Sequence, residues 1–121
     1  MRKFINEMRA SLYLGKGQGC LKKGDAENAS KYFQKSQEID GLDENNWIAH
    51  HTGLVALSGI AESLVRLDRY EEAIEKAMLC RSGCEQLEEL GLPVAELSGS
   101  VDKIINYCEY RINETSNQTI N

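Results

Sequence analysis

The sequence predicts an all-α fold of five helices arranged as antiparallel hairpins. Three observations predict it. There is a single proline in 121 residues. Apolar residues recur at alternating spacings of three and four over long stretches, the period of a helix face. And one phrase occurs twice. Residues 22–41 place a break at Gly24-Asp25, a small residue at Ala29, an aromatic at Phe33 and a small residue at Ser36. A similar phrase returns over residues 66–77, with Tyr70, Ala73 and Ala77 on the following helix. A repeated helix-turn-helix phrase signals hairpins that stack on one another.

The first helix spans about Lys3 to Lys23. Gly24 ends it, and Asp25 is placed to cap the second helix by accepting backbone N–H bonds. Helix two continues to about Ile39, and Asp40-Gly41-Leu42 forms the next turn. Helix three covers about Glu44 to Leu67. Trp47, His50, Leu54, Leu57, Ala61 and Leu64 make one continuous face, and Ile48, Val55 and Val65 add a second flank. A helix apolar over that much of its girth belongs in the middle of the stack. Asp68 and Glu71 approximate a capping box for helix four. That helix aligns Tyr70, Ala73, Ile74, Ala77, Cys80, Cys84 and Leu87. Gly91 stops it, and Pro93 opens helix five, where a fixed φ and a missing N–H are harmless. Helix five shows Val94, Leu97, Val101, Ile104, Ile105, Cys108 and Ile112. From Asn113 the chain turns polar and aperiodic.

One domain with one core is expected, burying roughly two-thirds of the unfolded surface. Fourteen basic against 19 acidic residues give a formal charge of −5. No basic face is concentrated enough for a nucleic-acid footprint, and no segment has the apolar length of a membrane span. The first residues lack the uninterrupted apolar run of a secretory signal. The expected setting is therefore cytoplasmic. Cys20, Cys80, Cys84 and Cys108 are then expected as free thiols.

Aligning the two phrases sets Tyr13, Gly17 and Cys20 against Leu57, Ala61 and Leu64. It sets Ala29, Phe33 and Ser36 against Ala73, Ala77 and Cys80. This pattern resembles the tetratricopeptide repeat: large, small, large on a first helix, then small, aromatic, small on a second. The resemblance implies a short right-handed superhelix filling residues 1–115. Repeat one is about 10–43, repeat two about 54–87 and the C-terminal helix about 93–115, with a disordered tail over 116–121. The departures are Gly41 where the family has proline, Ala77 where it has an aromatic, and a 44-residue offset against about 34 for the standard repeat. A plain up-and-down bundle would show the same amphipathic periods without a reason to repeat the phrase.

The family's binding groove is lined by the first helix of each repeat. Carried over by position, it comprises Ser11, Leu14, Gln18, Leu21 and Lys22 from helix one. Helix three contributes Val55, Ser58, Glu62, Val65 and Arg66. Helix five either forms the far wall or packs across the groove and turns these residues into core. Some members grip a C-terminal carboxylate with Lys and Asn. Leu14, Gln18 and Gly59 stand at those positions here, so that activity is not implied.

No constellation points to catalysis. His50 and His51 adjoin on a helix and face different directions, one towards the apolar face and one towards solvent. The cysteines lack a closed-site spacing, and Cys80 occupies a packing position, so neither metal nor cofactor is expected. Glu71-Glu72, Glu85 and Glu88-Glu89 read as solvated faces. The Gly15-Lys-Gly-Gln-Gly19 run lacks the full phosphate-loop pattern and lies inside a helix. Its glycines weaken that helix by about 1 kcal/mol each relative to alanine, a loss that close approach by helix two or three would offset.

The function expected is a protein–protein interaction module, an adaptor or scaffold that binds a peptide or a partner helix. The alternatives are a homodimerisation module and a small ligand- or metal-binding bundle, or enzyme, built on His50, His51 and the cysteines. Surplus apolar residues on the end helices favour self-association. Helix one has a possible use for Phe4, Ile5, Met8, Leu12 and Leu14 against Trp47. Helix five has none in the sequence, so the expected dimer contact lies on helix five or the open groove beside it.

Overall fold

The computed structural model describes residues 2–39 and 47–120, with side chains over 5–39 and 51–115. The turn expected at Asp40-Gly41-Leu42, the start of helix three at Glu44, residue 121, and the side chains of Phe4, Trp47, Ile48 and His50 lie outside the described residues. The elements are α1 (Arg2–Lys22), α2 (Ala26–Gln37), α3 (Trp47–Arg66), α4 (Tyr70–Glu89) and α5 (Ala95–Ile120). Among the described residues there is no strand.

Each helix packs on the next in chain order, and α3 also touches both α1 and α5. Among the described residues α1 does not meet α5, nor α2 meet α4. The molecule therefore has two layers. The first arms α1, α3 and α5 form one; the second arms α2 and α4 form the other. The C-terminal helix sits beyond α3 and does not fold back over α1.

The turns explain the boundaries. At the end of α1, the Gly24 N–H donates to the Leu21 carbonyl (3.1 Å) and the Asp25 N–H to that of Cys20 (2.8 Å). This is a Schellman turn, which needs a left-handed residue at its centre. Gly24 supplies φ +81°. The end of α3 repeats the geometry 44 residues on: Asp68 N–H to Val65 (3.0 Å), Arg69 N–H to Leu64 (2.9 Å). The end of α4 uses Gly91, at φ +80°. Asp25 then caps α2, its carboxylate accepting from the Asn28 backbone N–H at 3.2 Å and from the Asn28 side-chain amide at 2.7 Å. These bonds hold its carboxyl below the usual range.

Two expectations about caps change. Asp68 does not cap α4; it is the left-handed residue of the preceding turn, at φ 60°. The N-cap is Arg69, which makes no side-chain capping bond. Asp68 instead accepts from the Tyr70 hydroxyl at 2.7 Å. Pro93 precedes α5 without being its first residue, since helical bonding starts with the Ser98 N–H on the Val94 carbonyl (2.9 Å). The helix runs to Ile120, through polar residues that the sequence assigns in part to a tail. A docked helix propagates one bond per residue once nucleated, without needing apolar partners in its last turns.

The two hairpins repeat each other in their hydrogen bonds. The buried Ser36 hydroxyl of α2 donates to the Ala10 carbonyl of α1 at 2.7 Å. Cys80 of α4 donates its thiol to the Leu54 carbonyl of α3 at 3.2 Å. Both members of the second bond lie 44 residues after those of the first. Ala29, Ala73, Ala61 and Ala77 are all fully buried, as small residues at helix crossings must be. The Phe33 ring occupies a seat between α1 and α3. A Cβ on Gly17 or on Gly59 would come within 2.6 Å of it. Among the three glycines of α1, only Gly17 is offset by a close approach; nothing lies within 4 Å of a Cβ added at Gly15 or Gly19.

The two end helices expose different apolar residues. Val101, Ile105 and Cys108 of α5 and Val94 just before it are buried, while Tyr107 and Tyr110 of α5 are 43 and 63% exposed. Ile5, Met8 and Leu12 of α1 are 51, 54 and 58% exposed. Counting apolar residues along a helix does not reveal this, because burial depends on which face a neighbour covers.

Candidate interaction groove

The positions proposed for the groove spread over the first-arm layer at different depths. Leu21 is buried in the core, and Leu14 and Val65 pack half-buried against it. Ser11, Gln18, Lys22 and Arg66 are exposed, and Val55, Ser58 and Glu62 are half-buried. Leu21 therefore supports the layer from within and offers its backbone, not its side chain. Its carbonyl accepts from Arg66 Nη1 at 2.7 Å. Arg66 Nη2 also pairs with Glu62 at 3.2 Å, one turn back along α3. The guanidinium thus ties the C-terminal ends of α1 and α3 together at one end of the surface. The pair is more than 40% exposed on each side and adds little to stability.

A cleft of about 450 Å³ opens between α3 and the start of α5. His51 and Val55 form its α3 wall; Val94, Leu97 and Ser100 line it from the other side. Of these, the sequence singles out only Val55 for the groove. Gln18, Lys22, Glu62 and Arg66 supply polar and charged groups along the rest of the layer. This mixture of apolar cleft and polar rim suits a peptide or helix.

Cys80, Cys84 and Cys108 are buried free thiols, and Cys20 is half-buried. Burial pushes the Cys80 thiol up to about 12, and raises those of Cys84 and Cys108 as well. Such thiols are protonated at neutral pH and are poor nucleophiles and poor metal ligands. Among the described residues no group of three or more His, Cys, Asp or Glu is placed to hold a metal ion. On the outside of the first hairpin, Tyr13 and Tyr32 stack with centroids 6.4 Å apart. Lys16 and Lys35 lie over both rings at 5.7–5.8 Å. Tyr70 meets Tyr107 edge-on at 6.0 Å, with Arg111 over its face, joining α4 to α5. No described helix is long and apolar enough to cross a membrane.

No protein-family model, curated protein or solved structure matches this chain.

Proposed function

We propose that this chain is a cytoplasmic protein–protein interaction module of tetratricopeptide type. It binds an extended peptide or a partner helix across the face formed by α1, α3 and α5. The observation that carries the reading is the placement of α5. It packs on α3 and α4 without reaching α1, so the first-arm layer stays open from Gln18 and Lys22 to the cleft at Val55 and Leu97. The 44-residue recurrence of the Ser36 and Cys80 bonds supports stacked hairpins over an unrelated bundle. Affinity capture with the wild type, a Val55→Glu groove variant and a Gln34→Glu variant on the opposite layer tests it. A partner lost only with Val55→Glu supports the groove. Equal retention by both variants would place the binding surface elsewhere. Self-association is the second reading, favoured by the exposed stripe on α1.

A further inference from the structure

Each of α1, α3 and α5 has a strip on the side where the second arm of a preceding hairpin would pack, and in two of three such an arm covers it. On α3 the strip is Thr52, Ala56, Gly59 and Ser63, all buried, with Phe33 of α2 seated on Gly59. On α5 it is Val101, Ile105 and Cys108, all buried next to α4. Subtracting the 44-residue offset from the α3 strip gives Met8, Leu12, Gly15 and Gly19 on α1. Ile5 continues it one turn earlier, since positions 5, 8, 12, 15 and 19 share one helical face. On α1 this strip is bare. Its large residues are more than half exposed, and Gly15, the counterpart of the Phe33 seat at Gly59, faces open space. The two glycines that weaken α1 without a local contact thus lie in the uncovered strip.

Charge selects what docks there. Exposed Arg9, Lys16, Lys22 and Lys23 flank the strip or its end, and Glu7 is the only acidic residue of α1. A second α1 laid antiparallel across the strip would oppose Arg9 with Lys16, which is repulsive. The outer strip of α4 has the opposite character. Glu71, Glu75, Met78, Ser82, Glu85 and Glu89 share one exposed face. Met78 is 50% exposed and its neighbour Leu79 is 59% exposed. The two strips match in length, about 21 Å on α1 and about 27 Å on α4 at 1.5 Å per residue. We propose that the α1 strip docks the outer face of α4 of a second copy of this chain. Leu12 and Met8 meet Met78 and Leu79, and Arg9 and Lys16 meet the glutamates. The contact joins two different surfaces: made in one direction it is head-to-tail and builds rings or open chains, and made reciprocally it closes a two-fold dimer. It deepens the self-association reading and leaves the cleft at Val55 and Leu97 free for a different partner.

Light scattering from about 1 µM to about 1 mM at low salt reads the association. The wild-type mass should rise to twice 13.6 kDa or beyond. Raising the salt to about 0.5 M should return it to the monomer, because the contact is steered by exposed charges. Leu12→Glu and Met78→Lys alter exposed positions, and both should keep a helical circular-dichroism spectrum. Each should associate at least about tenfold more weakly, as expected for loss of about 1.4 kcal/mol. Mixed one to one, they should stop at a dimer, since one intact surface remains on each. A wild type that stays at 13.6 kDa throughout overturns the proposal. So does association unaffected by salt, or a Met78→Lys variant that assembles like the wild type.

Discussion

The two hairpins share a hydrogen-bond frame and differ in which helix supplies the volume. In the first, the bulk comes from the second arm: Phe33 reaches out of α2 between Gly17 and Gly59. In the second, the corresponding residue is Ala77 and the counterpart of Gly17 is Ala61, both fully buried. Here the bulk comes from the first arms. Leu54 of α3 packs onto the backbone of Gly83 in α4, and Ile104 of α5 packs against the core around Ala77. Backbone positions repeat, and packed volume is kept by exchanging large and small residues across the same crossing. Close packing requires a filled space but does not dictate which helix fills it.

The largest expected effect comes from emptying the first seat. Phe33→Ala should destabilise the protein by about 3–5 kcal/mol, measured by urea denaturation. The reverse change, Ala77→Phe, should not stabilise the second hairpin, because its space is already filled; overpacking should cost about 1–3 kcal/mol. A neutral Ala77→Phe would show that the hairpins are interchangeable and break the comparison. Next in size are the seats themselves. Gly17→Ala puts a methyl within 2.6 Å of the Phe33 ring and should cost about 1–3 kcal/mol, although alanine favours a helix. Combining it with Phe33→Leu should recover part of that loss in a double-mutant cycle. Ala73→Leu, at the crossing of the second hairpin, should cost a similar amount.

The sequence carries the frame better than the surfaces. Helix number, order and most boundaries follow from apolar period and from Gly24 and Gly91, because these depend on local geometry. Asp68 was harder. An acidic residue before a helix reads as a cap, while its role is to take glycine's place in a turn. The signal was available, since 24 and 68 differ by the repeat offset. Depth on the groove face was not legible for Leu21 and Val65. Periodicity assigns a residue to a side of its helix, but how far a neighbour overlaps that side depends on crossing geometry. The same limit hid the bare strip of α1.

A smaller difference between the hairpins concerns titration. The equivalent anchors are a hydroxyl at Ser36 and a thiol at Cys80, and only the thiol ionises in an accessible range. Burial raises Cys80 from 9.0 to about 12. A group whose pKa is raised on folding stabilises fully below its unfolded value, and that contribution is lost as pH climbs towards the folded one. Denaturation midpoints should therefore fall between about pH 9 and about pH 12. Cys84 and Cys108, raised by the same cause, act in the same direction. Cys80→Ser should make the decline shallower while keeping a donor for the Leu54 carbonyl. An unchanged slope would mean that Cys80 does not govern it.

The smallest effect on stability, and the most local test of the repeat, lies at the equivalent turns. Gly24 adopts φ +81° and Asp68 adopts φ 60°. A left-handed conformation costs an L-residue about 1–2 kcal/mol, less for aspartate than for most. Asp68→Gly removes that cost, but it also removes the bond from the Tyr70 hydroxyl, a small contribution at a solvent-exposed site. The two should nearly cancel, leaving the melting temperature almost unchanged. The tyrosine should respond where stability does not. Acceptance by Asp68 is the main reason that Tyr70 is pushed up to about 12, because the bond favours the protonated phenol. In Asp68→Gly its titration should move down towards 10.0, the ordinary value. Arg111, stacked over the ring, favours the phenolate and adds to that fall. Tyrosinate absorbance, compared with a Tyr70→Phe control to isolate the residue, measures the shift. A Tyr70 titration that stays near 12 would show that Asp68 is not its acceptor, and the turn would then have no reason to prefer aspartate over glycine.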